Sequence, residues 1–315
     1  MELVIDNYGA FIGKTGNRFV VKASDKKEEF SADKVEQIII SSASALSTDA
    51  VKLAMRHKID IVYISKFGKP LARIYPCRLG GTTLTRRRQV EFYFEDASTK
   101  LIKNIMVRKL LNQAKILKSL EKNREIDFNA EIAAITAIAD EIKVFEGNLS
   151  EIKNKLFGAE GAAAARYFQA LTKILPFKGR DQEGKDAVNA MLNYGYGILY
   201  SEIEKACVLA GLDPYFGYLH ADRYNKPSLV LDLIEEFRQP IVDRTIINLY
   251  AQHQISDDLF EKQGEVFMLS EKGRKKFAEA ILAKLNAQIK PTSAINYKQI
   301  MLGRARKFAR IILKG

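Results

Sequence analysis

The hydrophobic pattern of this chain changes its period once, near residue 80. Before that point apolar residues alternate or run in short blocks, as in "LVIDNYGAFIGK" and "KVEQIIISS", which is typical of β-strands. From Thr85 onward they recur every three or four positions, as in amphipathic helices. A proline and two glycines within 76–81 mark the change. The order predicts an α+β protein with a small β-rich N-terminal domain over residues 1–80 and a larger all-α C-terminal domain over 85–315.

Turn and cap signals predict individual elements. "KTGN" indicates a hairpin near the N-terminus, and a second turn is expected around Gly68-Lys69. Ser47 is a helix N-cap candidate. The long helical stretch after Thr85 is expected to break near Asp96. Further along the chain, Gly211 marks a helix end, a hairpin is expected around Gly264, and Ser270 caps the helix that follows.

The net charge of +12 is concentrated in two places. Residues 272–315 contain twelve Lys or Arg against the single acid Glu279, and residues 86–124 contain eleven against four acids. Two separated basic segments fit a long polyanion better than a small metabolite. The charge alone is also compatible with solvated lysine-rich helices, or, for the C-terminal segment only, with a basic helix on a lipid surface.

The two cysteines, Cys77 and Cys207, lie 130 positions apart and match no metal-ligand spacing. They are therefore interpreted as reduced core residues of an intracellular protein. No apolar run reaches the length of a membrane span, and the first residues lack a signal-peptide profile. The expected location is the cytoplasm, with no membrane partner.

Three separate segments supply residues that could bind a metal ion. His220 closes "YFGYLH", and the block after Pro227 predicts one amphipathic helix. At about 100° per residue the polar side chains of this helix fall on one stripe, opposite its apolar face. These polar residues are Asp232, Glu235, Glu236, Gln239 and Asp243. Glu160 lies between Gly158 and Gly161 and precedes four alanines, so that a partner element or a substrate backbone is expected to approach it closely.

One histidine with two or three carboxylates suits Mn²⁺ or Mg²⁺, which favour oxygen ligands and keep positions open for water and phosphate. Zinc fits this set less well. Taken singly, each feature has a simpler interpretation. The acidic stripe can be a solvated face, His220 a structural residue, and Glu160 an anion near a helix N-terminus. Spacing alone does not bring residue 160 to residue 220.

Several motifs in order resemble the universal CRISPR-associated integrase of spacer acquisition. They are "RRRQ", "FGAEGAAAARYF", "AVNAMLNYGYGILYSEIEKACVLAGLDPYFGYLH", "KPSLVLDLIEEFRQPIVDR" and "GEVFMLSEKGRKKFAEAIL". The resemblance spans essentially the whole chain. It implies that Glu160, His220 and Glu235 are metal ligands and catalytic residues. Asp232, the neighbouring acid, is expected to support them.

The resemblance includes one permitted variation and one departure. Some members have an aspartate where Glu235 stands here, and the glutamate is a permitted variant with a longer reach. The loop "KGRDQEGKDAVN" contains less proline than usual, which leaves the roles of Arg180 and Asn189 open.

The activity implied by the resemblance is that of a metal-dependent DNA endonuclease and integrase. The 3′-hydroxyl of a short captured DNA would attack a phosphodiester at the edge of a CRISPR repeat. The implied partners are double-stranded DNA, a second copy of the chain joined through the β-domains, and a small second CRISPR-associated protein. Basic residues expected to contact DNA are Arg86, Arg87, Arg88, Arg306, Lys307 and Arg310, with Lys100, Lys103 and Arg108 as further candidates.

Two other functions remain as alternatives. A non-enzymatic architectural DNA-binding protein would explain the charge but not the three candidate ligands. A metal-dependent hydrolase of smaller phosphoesters would explain the ligands but not the basic C-terminal segment.

Overall fold

The computed structural model describes residues 1–23, 26–65, 70–75, 83–122, 126–220, 226–289 and 295–314. The turn predicted at Gly68-Lys69, Cys77 and the predicted domain boundary at Gly80-Gly81 lie outside the described residues. No described helix is both long enough and apolar enough to cross a membrane. The chain divides into two compact units. One comprises Met1–Leu79, Glu183–Ser201 and Ile255–Ala283, and the other comprises Gly80–Gln182, Glu202–Gln254 and Lys284–Gly315.

The order of elements is that of an α+β protein, with strands first and long helices afterwards, as the sequence predicts. The strands are β1 (Glu2–Ile5), β2 (Ala10–Thr15), β3 (Arg18–Ala23), β4 (Lys26–Ser31), β5 (Gln37–Ile40), β6 (Ser44–Leu46), β7 (Asp60–Ile64), β8 (Pro70–Ile74), β9 (Phe260–Gln263) and β10 (Val266–Leu269). The helices are α1 (Thr48–Arg56), α2 (Thr83–Phe92), α3 (Asp96–Glu121), α4 (Asn129–Val144), α5 (Leu149–Leu171), α6 (Ala187–Leu209), α7 (Ser228–Ile234), α8 (Arg244–Ala251), α9 (Glu271–Asn286) and α10 (Tyr297–Lys314).

The first unit contains two four-stranded sheets, ordered β1-β5-β7-β8 and β4-β3-β2-β6. In the first sheet β1, β5 and β7 are parallel, and every residue of β5 is buried. Burial on both faces is why its sequence "QIII" does not alternate. The predicted "KTGN" hairpin is confirmed between β2 and β3, where Gly16 supplies a positive φ of 56°. The hairpin around Gly264 is also confirmed, as β9 and β10.

A buried arginine of the β1-β5-β7-β8 sheet hydrogen-bonds to α6. Arg73 of β8 donates to Asp60 at 2.9 Å and to the carbonyl of Ser201 at 2.6 Å. Both charged side chains are 7% exposed, so this contact is well shielded from water. Ser201 belongs to the same compact unit as the strands, and the bond from Arg73 is one of the contacts between them.

The second unit is built on α3, which packs along α4 and α5. The break predicted near Asp96 is confirmed, since α2 ends at Phe92 and α3 begins at Asp96. The N-terminus of α5 is closed by a capping box in which the side chain of Asn148 and that of Glu151 each accept from the other's backbone nitrogen. Gly211 follows the end of α6 with a φ of 77°, as expected for a glycine after a helix C-terminus.

The prediction of a single regular helix after Pro227 is wrong. The chain forms α7, then a π-helical turn over Arg238–Asp243, then α8. The physical reason is Pro240, which has no N–H to bond the carbonyl of Glu236 four residues earlier. The side chain of Asn112 on α3 donates to that carbonyl instead, at 2.8 Å. Such turns are frequent at functional sites.

Candidate active site

The segment that ends at His220 is fixed by a close backbone approach. A Cβ placed on Gly217 would lie 2.4 Å from the carbonyl carbon of Ser228, so only glycine fits where this segment meets the start of α7. There the Asp232 carboxylate accepts from three consecutive backbone nitrogens. They are those of Tyr218 at 2.6 Å, Leu219 at 3.2 Å and His220 at 3.0 Å. Asp232 is 1% exposed and therefore holds a buried turn in place.

The imidazole of His220 has a defined orientation. Its Nδ1 lies 2.8 Å from Oδ1 of Asp232. Because an ionised carboxylate only accepts hydrogen bonds, Nδ1 carries the proton and Nε2 of the neutral ring keeps a lone pair. The ring packs edge-on against Phe157 of α5, with centroids 5.6 Å apart. Phe157 lies one helical turn before Glu160, so this contact brings α5 to the histidine.

Glu160 and Glu235 meet at the ammonium of Lys109 on α3. Nζ forms an ion pair with Oε1 of Glu160 and lies 2.5 Å from Oε2 of Glu235. The side chains of Lys109 and Glu235 are 6% and 4% exposed, whereas that of Glu160 is 22% exposed. The carboxylates from two distant segments therefore converge on one cation position that is open to water on the Glu160 side.

Neighbouring cations keep Glu235 ionised. Burial by itself would raise its pKa, but the charges of Arg238 and Lys109, with that of His220 when protonated, lower the pKa to about 2. Arg238 contacts the other carboxylate oxygen, with Nη2 lying 3.1 Å from Oε1. Glu235 is thus ionised at neutral pH, as a candidate cation ligand must be.

The adjacent Glu236 belongs to a separate ion-pair group. Arg108 donates to its two carboxylate oxygens at 3.0 and 3.3 Å, and Nε of Arg304 lies 3.4 Å from Oε2. The side chains of Arg108 and Arg304 are 42% and 37% exposed. Positive charge therefore lies at the surface beside the carboxylates.

Of the two approaches expected beside Glu160, close packing by a partner element is wrong for the described residues, and approach by a substrate backbone stays a prediction. A Cβ added to Gly158 or Gly161 would meet no heavy atom of the described chain within 4 Å. Both glycines and Ala162 are exposed. The Gly–Ala segment of α5 is therefore an open, flat surface next to Glu160 rather than a helix–helix contact.

The candidate side chains offer the types of ligand atom that a hard divalent cation binds. Two carboxylates and the Nε2 lone pair of an oriented imidazole are suitable ligands for Mn²⁺ or Mg²⁺. Oε2 of Glu235 is buried, and the described residues provide it no hydrogen bond of normal geometry despite its proximity to Nζ. In the described part of the chain no three His, Cys, Asp or Glu side chains are spaced to hold one ion. The point shared by the two glutamates is occupied by the ammonium of Lys109.

Comparison with known proteins identifies the family. The family model described as "CRISPR associated protein Cas1" matches residues 3–282. The chain belongs to the Cas1 family. It is 35% identical to the CRISPR-associated endonuclease Cas1 1 of Archaeoglobus fulgidus, over 97% of this chain and 94% of that protein. It is 34% identical to a CRISPR-associated endonuclease Cas1 1 of Pyrobaculum aerophilum, over 90% and 93% respectively.

Solved structures show the same fold. A Cas1 protein from Thermotoga maritima superposes with a TM-score of 0.83 at 20% identity, covering 99% of this chain and 97% of that one. A casposase bound to an integration product superposes with a TM-score of 0.86 at 23% identity, covering 99% and 90%. The Cas1 fold thus extends over almost the whole chain.

The basic residues predicted to contact DNA differ in their surroundings in this Cas1 chain. Arg86 and Arg87 of α2 are exposed, as are Arg306, Lys307 and Arg310 of α10, a helix that packs against α2. Arg88 is already engaged. It pairs with Glu91 at 2.8 Å and Glu95 at 2.9 Å, and its Nε donates to the carbonyl of Ile312. Its environment is that of a structural link between the two helices.

Lys100 and Lys103, the further lysines predicted to contact DNA, also differ in their surroundings. Lys100 is exposed, whereas Nζ of Lys103 donates to the carbonyl of Phe145 at 2.7 Å. Lys103 therefore joins α3 to the end of α4.

Lys109 and Gln89 of "RRRQ" have contacts in the structure that the sequence patterns did not predict. The fully buried Gln89 side chain accepts from the backbone nitrogen of Asp213 and donates to the carbonyls of Asp213 and Phe216, so it holds the loop that leads to His220. A signal for Lys109 was present. On α3, Ile102, Met106, Lys109, Gln113 and Leu117 follow one buried helical face. A lysine on that face requires a buried anion.

Proposed function

We propose that this Cas1 chain is a metal-dependent DNA endonuclease and integrase that joins short captured DNA into a CRISPR array. In this reaction a DNA 3′-hydroxyl attacks a phosphodiester of the repeat, and the repeat strand's own 3′-oxygen leaves. The observation that carries the proposal is the convergence of Glu160 and Glu235 on one cation position, with the oriented His220 packed against the helix that bears Glu160.

Glu160, Nε2 of His220 and Glu235 are the residues that would hold Mn²⁺ or Mg²⁺. When bound, such an ion stabilises the negative charge that develops on the attacked phosphate and its entering and leaving oxygens. Asp232 keeps Nδ1 of His220 protonated and the ring oriented. It is a supporting residue and not a ligand, since its own oxygens are used by four hydrogen bonds.

The surface around the site suits a DNA backbone. The exposed small residues Gly158, Gly161 and Ala162 of α5 allow a sugar–phosphate chain to lie against the helix beside Glu160. Arg108 and Arg304 present partly exposed guanidinium groups next to Glu236, where they can neutralise flanking phosphates. The exposed basic residues of α2 and α10 extend this positive surface. A long anionic substrate therefore fits better than a small phosphoester.

The proposed partners are double-stranded DNA, a second copy of the chain and a small second CRISPR-associated protein. In support, a similar fold was solved as a casposase bound to an integration product, and another in a Cas6-RT-Cas1–Cas2 complex. We assign dimerisation to the β-rich residues 1–80, and catalysis and DNA binding to residues 85–315. The cytoplasm is the proposed location.

Strand transfer tests the proposal. A labelled duplex with free 3′-hydroxyl ends is incubated with a supercoiled plasmid bearing a CRISPR repeat, the small partner protein and Mn²⁺. The wild-type chain is expected to give joined product, and Glu160→Gln is expected to lower the yield at least a hundredfold while DNA affinity is retained. Glu141→Gln, which changes an exposed acid on α4, is the matched control and should remain active.

The outcomes separate the alternatives. Full function of Glu160→Gln would favour an architectural DNA-binding protein. Hydrolysis of small phosphoesters that duplex DNA does not inhibit at low salt would favour the small-substrate hydrolase. Absence of joined product from folded wild-type protein supplied with its partner would refute the integrase.

A further inference from the structure

Lys109 lies where the two proposed ligand carboxylates meet, and its role follows from that position. The inference rests on the proposed function. Nζ pairs with both Glu160 and Glu235, while its side chain is 6% exposed. A lysine this buried is held by its anions and not by water.

The charges at the centre balance without any metal. Lys109 and Arg238 provide two positive charges that face the two negative charges of Glu160 and Glu235. Two carboxylates so close together would otherwise repel each other in a poorly solvated site. The ammonium therefore stabilises the arrangement of the ligands before a divalent ion binds.

An ammonium and a divalent ion cannot share this position. A Mg²⁺-sized ion requires its oxygen ligands at about 2.0–2.1 Å, whereas Oε2 of Glu235 is already 2.5 Å from Nζ. An added divalent ion would also bring two positive charges into a set that is already neutral. The excess of two positive charges falls to one when the lysine withdraws, and the negative charge of a bound phosphodiester offsets the one that remains. The four-carbon stem of lysine allows such a movement.

We propose that Lys109 is a built-in counter-cation that occupies the metal position in the metal-free protein and is displaced when the ion binds. The intrinsic affinity of the carboxylates for the ion is therefore reduced by the contact that must be broken. Lys109 is a positioning residue that preorganises the ligands and weakens metal binding at the same time.

Metal binding and thermal unfolding test this inference without measuring activity. Mn²⁺ is titrated calorimetrically into wild-type protein, Lys109→Met, Lys109→Gln and Lys109→Arg, and melting is followed with and without Mn²⁺. Lys115→Met changes an exposed lysine of the same helix and is the matched control. Glu160→Gln and Glu235→Gln identify the ligands.

Loss of the positive charge is expected to have opposite effects on the two measurements. Lys109→Met and Lys109→Gln should bind Mn²⁺ about tenfold or more tightly, as the competing contact is gone. Without metal they should melt roughly 5–10 °C lower and gain more from added Mn²⁺ than the wild type. Lys109→Arg keeps the charge and should resemble the wild type, as should Lys115→Met.

The Mn²⁺-binding results distinguish failure of the Lys109 inference from failure of the proposed metal site. Binding by Lys109→Gln that equals or falls below that of the wild type overturns the inference, and this variant serves if Lys109→Met does not fold. Wild-type binding that Glu160→Gln and Glu235→Gln abolish, but the Lys109 variants leave unchanged, overturns the inference and keeps the proposed metal site. Absence of Mn²⁺ binding by every folded variant overturns both.

Discussion

Oδ1 of Asp232 lies 2.8 Å from Nδ1 of His220 and 3.0 Å from the backbone nitrogen of the same residue. One carboxylate on α7 thus determines both the path of the backbone at His220 and the direction in which its ring presents Nε2. Because four hydrogen bonds already use its two oxygens, Asp232 is proposed to position the histidine and not to bind the ion itself.

Asp232→Asn should weaken Mn²⁺ binding about 10- to 100-fold, since the amide no longer fixes the ring with a charged acceptor. The free energy of unfolding should fall by about 3 kcal/mol because backbone donors in a buried turn lose their anionic acceptor. Calorimetric titration and urea unfolding measure the two effects. Asp140→Asn, on the exposed face of α4, should change neither. Unchanged metal affinity in Asp232→Asn would show that Asp232 has no role in positioning the histidine.

Two substitutions at Gly161 distinguish an effect on helix stability from an effect on substrate access. Gly161→Ala should stabilise the protein by about 0.5–1 kcal/mol, because glycine is a poor interior helix residue and an added Cβ meets open space here. Gly161→Leu should also fold normally, but its side chain would project over the flat surface beside Glu160 and lower strand transfer at least tenfold. Thermal melting and the strand-transfer assay provide the comparison. Full activity of Gly161→Leu would mean that DNA does not approach this face.

The exposed basic face of α10 should contribute to DNA affinity through phosphate contacts. Changing Arg306, Lys307 and Arg310 together to glutamine should weaken duplex binding. It should also reduce the slope of log affinity against log salt by up to about 2.7, which corresponds to about 0.9 per lost contact. Fluorescence anisotropy at several salt concentrations measures this slope. As a control, changing the exposed Lys14, Lys22 and Lys26 together to glutamine removes the same amount of charge and should leave the slope unchanged. An equal effect of both triple variants would show only a general dependence on net charge.

Lys298 at the start of α10 should make stability depend on alkaline pH. Burial lowers its pKa from 10.5 to about 8. Between these values the unfolded chain binds the proton that the folded chain has released, so the free energy of unfolding rises with pH across this window, by up to about 3 kcal/mol.

The difference between wild type and Lys298→Met in urea unfolding at pH 7, 8.5 and 10 isolates this contribution. The wild type should gain stability relative to the variant as the pH rises. Lys307→Met, at an exposed position, should show no such trend. A constant difference between wild type and Lys298→Met would mean that the folded pKa of Lys298 is not lowered.

The sequence by itself determined the class of fold and most of the elements. Alternating and helical periods, the "KTGN" turn, the break before Asp96 and the glycine after α6 are local features, and local sterics and hydrogen bonding decide them. They were predicted because they depend on near neighbours. The prediction of one continuous helix after Pro227 was wrong at Pro240, where a side chain from α3 supplies the missing hydrogen bond to the Glu236 carbonyl.

The tertiary structure alone decided which distant residues meet. Periodicity placed Glu160, His220 and Glu235 on their elements, and only the family resemblance linked them, since spacing along a chain contains no information about long-range contacts. Packing of α3, α5 and α7 brought the two glutamates to Lys109, and the close approach at Gly217 brought His220 to Asp232. A buried charge is tolerable only where an opposite charge from another element reaches it, and that condition is met in three dimensions and not along the sequence.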